Sequence, residues 1–438
     1  MSDAGRPLES AMIEGRSAPP ALGSLAVQQG TALGVCTLVQ VVSGMSSQSL
    51  GPLANLVQAD LHLSRGELGW LLAACSTGAM IVSLPSGWLV DALGVRRTVA
   101  GGILWGGAML VTASLAGRFL PTLALLLLAG LGIGFLSPAT TKAIVSWFPA
   151  RTRGTAMGFK QTGFAIGGTL SAAVLPSLAL ALGGWREALL VVGLLGLAVG
   201  SAFLVVYHPS AGETVAGARR PAGAWGRVLH DRRIVSLGLL ALLYCFNQSS
   251  VLGYMSLFLQ ESLAVPLVVA GGYLAVATFG GAAGRFGWGV LSDRFFAGRR
   301  RPVLLIMSCL AICMSLATAA MSRATPPWLV TAVVFLYGLA VIGWSGMFHT
   351  TVAESAGREL AGTAMGVGLT LSYVGVIGGP PLFGHLVDLS RSYALAWGVQ
   401  GVFALAGLAI VISLHEGRRR DGIDGRTEQE EELRQCDC

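Results

Sequence analysis

The chain has 438 residues and a net charge of +7, with hydrophobic residues at 53% and charged residues at only 12%. Soluble domains hold roughly 25% charged residues, so a chain this poor in charge cannot cover a water-facing surface, and lipid is its expected solvent. The positive balance does not point to nucleic acid, because the arginines sit in short clusters between apolar runs, where the positive-inside rule places them.

In chain order, residues 1–24 are polar and contain Pro7, Pro19 and Pro20. They read as a disordered tail without a cleavable leader. A spanning helix needs about 20 mostly apolar residues. Twelve such runs follow, at 27–50, 66–90, 98–116, 120–147, 154–177, 186–207, 234–260, 267–291, 302–321, 327–349, 361–386 and 393–414. One long polar interruption, 208–233, separates the sixth from the seventh and acts as a linker. This gives an N-terminal six-helix bundle over 25–207 and a C-terminal one over 234–414. Residues 415–438 form a charged tail without periodicity, expected to be disordered. The predicted fold class is an all-α membrane protein of twelve transmembrane helices in two pseudo-symmetric bundles.

With these spans, 21 of the 29 arginines and lysines fall on one side, five on the other, and three within spans. The asymmetry predicts both termini in the cytoplasm. The halves also repeat. Gly154-Thr155-Ala156-Met157-Gly158 recurs 208 residues later as Gly362-Thr363-Ala364-Met365-Gly366, and Gly87-x3-Asp91 recurs 202 later as Gly289-x3-Asp293. Parallel repeats of six spans are a carrier signature, with the ligand site between them near the bilayer midplane.

The loop after the second span reads Gly87-Trp88-Leu89-Val90-Asp91-Ala92-Leu93-Gly94-Val95-Arg96-Arg97. It resembles the signature loop of the major facilitator superfamily, Gly-x-Leu-x-Asp-x-x-Gly-Arg-Lys/Arg. A looser copy starts at Gly289-Val290-Leu291-Ser292-Asp293-Arg294. The resemblance covers about residues 25–414 and implies a monomeric carrier working by alternating access. Asp91, Arg96, Arg97, Asp293 and Arg294 would then gate the cytoplasmic side, the aspartates capping facing helices of the other half and pairing with arginines. Segment 147–168, Trp147 to Gly168, is similar to a bacterial subset assigned mostly to small anions. Two features depart from the drug-antiporter patterns: Leu126 stands where an arginine would precede Gly130 and Gly132, and Gly167-Gly168 is not followed by proline.

Ionisable residues at membrane depth are costly and mark function. Lys142 and Lys160 are the only lysines, against 27 arginines, and both fall inside spans with Arg285. Lys carries a compact, tunable ammonium where Arg carries a fixed fork. Lys160 and Arg285 lie at similar depth in the fifth and eighth spans, which the resemblance places at the seam between halves. Arg285-x3-Gly289 also resembles the eighth-helix arginine of monocarboxylate and oxalate carriers. Arg285 is read as an anion ligand or as a gate residue paired with a carboxylate. Lys160 is read as a substrate or coupling residue. Lys142 is read as a coupling or gating residue, or else one that snorkels or bonds locally, and His349 either shuttles protons or bonds a backbone carbonyl. Gln40 and Gln48 in the first span, and Tyr244, Asn247, Gln248 and Tyr254 in the seventh, are candidate substrate contacts or helix–helix bonds.

No Asp or Glu lies deep in a span. A cavity with fixed positive charge then favours anions over cations. The expected ligand is a small, carboxylate-type organic anion, with protons or counter-anions as coupling species. An exporter of hydrophobic or amphipathic compounds, and a sensor that binds without transporting, remain the alternatives. No phosphate loop and no hydrolytic constellation appears, so neither ATP-driven nor enzymatic chemistry is indicated. The seven cysteines show no zinc or disulfide spacing, and no cofactor is implied.

Overall fold

A computed structural model of the chain describes residues 22–210 and 224–414. The expectations of disordered ends and part of the linker fall outside these residues. Fifteen helices and no strand occur among them. In order they are α1 (Leu22–Gln48), α2 (Ala54–Leu61), α3 (Arg65–Leu93), α4 (Val95–Ser114), α5 (Phe119–Gly134), α6 (Leu136–Trp147), α7 (Ala150–Leu182) and α8 (Trp185–Val206) in the first half. After the short α9 (Ala224–His230) come α10 (Arg232–Leu263), α11 (Leu267–Phe295), α12 (Arg300–Ala319), α13 (Pro327–Val341), α14 (Ser345–Ser390) and α15 (Tyr393–Ser413).

Eleven stretches among the described residues are long and apolar enough to cross a bilayer. The third predicted span, α4, falls short of that mark; Arg96 and Arg97 open it. It still packs along its length against α5 and α8, as the other spans do. The count is twelve.

Two predicted spans differ in detail. The fourth is broken at Phe135, between α5 and α6, and the tenth between α13 and α14. The first break follows Gly130, Gly132 and Gly134, and the second contains Gly343; glycine lowers helix propensity and side-chain support at both. After its break the tenth span continues without interruption: α14 stays helical through the connection into the eleventh span, where a gap at 350–360 is predicted.

The sequence repeat has a counterpart in packing. A β-carbon on Gly78 would strike the Leu127 carbonyl and one on Gly130 the Cys75 carbonyl, so α3 and α5 touch backbone to backbone. In the second half, Gly280 meets Phe335 and Gly338 meets Ala277 in the same way, joining α11 to α13. These four contacts keep the 202 and 208 offsets of the motifs. Small residues permit such approach, and in lipid the packing itself is the driving force. The basic loops correspond too. Arg96 donates to the Leu204 carbonyl at the end of α8, while Arg301 donates to Val411 and Ile412 carbonyls at the end of α15. Each places a cation at a helix C-terminus.

The halves meet at the face opposite the start of α1 and the end of α15. There α3 lies against α14, with Gly69 against the backbone of Pro380 and Pro381, and α7 lies against α11, with Gly271 against Ala172 and Pro176. A capping box of Ser64 and Glu67 fixes the start of α3 at this face. Arg65 pairs there with Glu261 (2.6 Å) and Asp388 (3.5 Å), both from the other half. Asp388 also accepts from the backbone N–H of Arg65 and Gly66, at 3.3 and 2.8 Å. Asn55 donates to Gln260 at 2.9 Å. Tyr254 donates to the Arg65 carbonyl, and the Arg65 guanidinium lies 5.6 Å from the Tyr393 ring centre. On the same face, Asp60 joins α2 to α8 through Trp185 (3.0 Å) and Arg186 (2.6 Å). Slight burial raises the Asp60 pKa, but those hydrogen bonds and the Arg186 charge outweigh it and hold the carboxyl below its ordinary value.

Candidate functional site

With one face sealed, a cavity runs between the halves toward the other. It has a deep chamber of about 340 Å³. A wider chamber of about 760 Å³ adjoins it. The two share Gly134, Ser137, Gln161, Gln248, Arg285 and Tyr373 on their walls, so they are continuous. Both lie within the range of about 300–1,000 Å³ usual for small-molecule sites.

Arg285 is held on this wall by close packing. Gly343 stands against Gly284, and Gly346 against the carbonyl of Arg285 itself, so α11 sits tightly on the break in the tenth span. One turn further on, Trp288 donates to the Leu339 carbonyl at 2.8 Å. Arg285 lines both chambers. Its Nε is buried without a hydrogen-bond partner, and no carboxylate lies within 4 Å among the described residues. The gate-pair reading therefore has no acidic partner in this conformation.

Lys160 departs from its predicted position. It is 2% exposed, and its Nζ donates to Thr141 Oγ1 at 3.0 Å within its own half. Thr141 lines the wide chamber; Lys160 itself stands behind that wall. The cause is the packing of α7 on α1, where Gly163 and Gly167 meet the carbonyls of Thr37 and Val41. That contact turns Gln161 toward the cavity, where it accepts from Gln40 Nε2 at 3.4 Å.

The seventh-span residues separate in the same way. Gln248 lies on both cavity walls and accepts from Trp344 Nε1 at 2.7 Å. Its neighbour Asn247 points into the C-terminal bundle, donating to the Gln400 carbonyl (3.2 Å) and accepting from Tyr337 (2.9 Å). Tyr254, expected as a substrate contact, is fully buried in the sealed face beside Phe383. It cannot reach the cavity here, because the cavity ends before that layer.

The residues expected to gate also find other partners. Asp91 pairs with Lys142 at 2.6 Å, inside the N-terminal half. Asp293 pairs with Arg300 at 2.7 Å, and Arg300 with Glu354 at 2.9 Å, inside the C-terminal half. With this face open, neither aspartate caps a helix of the other half among the described residues. Arg96 reaches α8 as described, and no partner for Arg97 or Arg294 is seen among the described residues. His349 lies on the wall of the wide chamber with Arg285, its ring 5.7 Å from Phe348.

The sequence reading missed Tyr373, which lines both chambers, and five serines: Ser43, Ser46 and Ser47 of α1, Ser76 of α3 and Ser137 of α6. The apolar runs hide them, since an isolated serine in a span ordinarily bonds back to its own helix.

Twelve spans in two repeated halves, sealed at one face around a ligand-sized cavity, define a secondary carrier of the alternating-access kind. The chain belongs to the Major Facilitator Superfamily, whose description it matches over residues 36–380. The family comprises transporters and not enzymes. Over 404 residues the chain is 25% identical to a probable sulfoacetate transporter, SauU, of Cupriavidus necator, covering 87% of this chain and 92% of that one. It is likewise 25% identical to a probable L-galactonate transporter of Escherichia coli over 88% of this chain and 89% of that one. Its fold resembles a bacterial homologue of the human lysosomal transporter Spinster in an inward-facing, unoccupied conformation, with a TM-score of 0.73 and 16% identity, covering 88% and 96% of the two chains.

Proposed function

We propose that this protein carries a small, carboxylate-type organic anion across a bacterial inner membrane by alternating access, with both termini in the cytoplasm. The observation that carries the reading is Arg285: an arginine on the cavity wall, without a carboxylate partner among the described residues, its Nε buried and unengaged. An unpaired charge in a low-dielectric site is strongly unfavourable, and a carboxylate fits the Arg fork with two parallel hydrogen bonds. The named substrates of the two relatives, sulfoacetate and L-galactonate, are both small organic anions, which supports the same class.

An anion bound at Arg285 from the C-terminal half and at Gln40, Gln161 or Thr141 from the N-terminal half would draw the two together, coupling recognition to rocking. Lys160, behind Thr141, acts on the site through that hydroxyl or as a coupling group. His349 is the residue on the cavity wall suited to exchange a coupling proton. Closure of the open face would bring the loops of Asp91 and Asp293 against the opposite half.

The test is thermal stabilisation of the purified protein by a panel of small carboxylates, sulfonates and lipophilic cations. Stabilisation by organic anions, abolished in Arg285→Ala, is expected. Stabilisation by lipophilic cations alone would refute the anion carrier and favour an exporter of amphipathic compounds.

A further inference from the structure

The two sides of the cavity are chemically unlike. Hydroxyls within the spans commonly turn back to a carbonyl three or four residues earlier, as Thr37 does to Leu33, Thr77 to Ala73, and Thr140 to Leu136. On the C-terminal wall, Ser249 and Thr278 do the same, to Cys245 and Ala275. Ser43, Ser46 and Ser47 of α1, with Ser76 and Ser137, carry no side-chain hydrogen bond among the described residues, and all five line the deep chamber. They come from the N-terminal half. Because α1 is pressed on α7 at Gly44, which meets the Phe164 carbonyl, its serine face is directed to the open space.

Charge is distributed equally unevenly. Among the described residues lining either chamber, Arg285 and His349 are the only basic ones, and none is Asp or Glu. The deep chamber holds Arg285 alone. A second negative charge there would have no counter-charge, and an unpaired buried anion is costly.

We infer that the α1 serines Ser43, Ser46 and Ser47 form the N-terminal subsite for the uncharged, hydroxyl-bearing body of a singly charged carboxylate whose carboxyl group rests on Arg285. This rests on the anion-carrier reading above and narrows it. The ligand is a hydroxylated monoanion. Simple alkyl carboxylates leave the serine hydroxyls without partners, and dianions leave a charge unpaired. Unsatisfied polar groups in a binding site discriminate more strongly than lost apolar contact.

Isothermal titration of the purified full-length protein with three six-carbon probes tests this: gluconate (hydroxylated, one charge), hexanoate (unhydroxylated, one charge) and glucarate (hydroxylated, two charges). In the wild type, gluconate is expected to bind about 10-fold or more tightly than either of the others. The Ser43→Ala/Ser47→Ala double variant is expected to lose about 10-fold for gluconate while binding hexanoate as the wild type does, which also certifies its fold. Hexanoate or glucarate binding as tightly as gluconate, or a double variant that keeps full gluconate affinity, overturns the subsite. If that binding still depends on Arg285, the carrier reading survives. Failure of all three probes to bind the wild type overturns both.

Discussion

On the N-terminal side of the deep chamber five serine hydroxyls are unengaged among the described residues, and Gln40 and Gln161 are bonded to each other. On the C-terminal side Gln248 is held by Trp344, and Ser249 and Thr278 by their own helices; the Tyr373 hydroxyl is the unengaged neutral group there among those described, and Arg285 adds a cation without a carboxylate partner. The scaffold is the same in both halves, down to the glycine crossings at Gly78, Gly130, Gly280 and Gly338. Duplication thus accounts for the frame but not for the site. By the 202 offset, Arg285 corresponds to Ser83, which also faces the wide chamber but bonds to the Met80 carbonyl. The buried cation of the N-terminal half, Lys160, stands behind the wall on Thr141. On the proposed reading, the C-terminal half supplies the charge and the N-terminal half most of the free hydroxyls, so a ligand that needs both would favour the state in which the halves close on it.

The comparison breaks most readily at Arg285. Its replacement by alanine should reduce anion uptake into proteoliposomes by roughly 100-fold, as removal of one partner of a buried charge pair does. Uptake within a few-fold of wild type would remove the asymmetry from function. The shared frame is tested by Gly130→Val and Gly338→Val. Each places a side chain where a carbonyl already lies. Overpacking of this kind costs typically about 1–3 kcal/mol. Equal losses of thermal stability are expected, and a tolerated change in one half only would show that the crossings are not equivalent. Asp91→Asn removes the partner of Lys142. It should slow uptake several-fold while leaving equilibrium binding of the anion intact, because the pair lies outside the cavity wall; lost binding would place it in the site.

Smaller still is the sealed face. Arg65→Gln loses partly exposed ion pairs to Glu261 and Asp388, each worth about 1 kcal/mol or less. A few-fold shift toward the state open at this face is expected, read by cysteine labelling at Asn55, and unchanged labelling would mean that α3–α14 packing alone holds the seal. Least of all, Asp60→Asn should lower the melting temperature by about 1–2 °C. Because the folded-state pKa of Asp60 lies below its unfolded value, this contribution is present at neutral pH and lost as pH falls through the depressed pKa. The difference between variant and wild type should vanish there.

Much of the frame was legible because lipid imposes simple rules: long apolar runs, arginines at one face, and motif copies at fixed offsets. Arg285 was legible as a charge in such a run. What could not be read were directions around a helix axis. Asn247 and Gln248 are adjacent, yet about 100° of helical rotation sends one into the bundle against Tyr337 and the other to the cavity. The same ambiguity hid Lys160 behind Thr141 and carried Tyr254 into the sealed face. The free serines escaped notice for another reason. Whether a hydroxyl bonds back to its helix or faces a cavity depends on the neighbouring span, and only the packing of α1 on α7 decides it. The partners of a gate would depend on which face is open, and the structure shows Asp91 with Lys142 in one conformation only.

The most direct test of the account is calorimetric titration of one hydroxylated monocarboxylate into the wild type, Arg285→Lys and Arg285→Ala. Lysine keeps the charge but not the fork. The account predicts measurable binding in the wild type, at least about 10-fold weaker binding in Arg285→Lys, and none in Arg285→Ala. Equal affinity in all three proteins would contradict it.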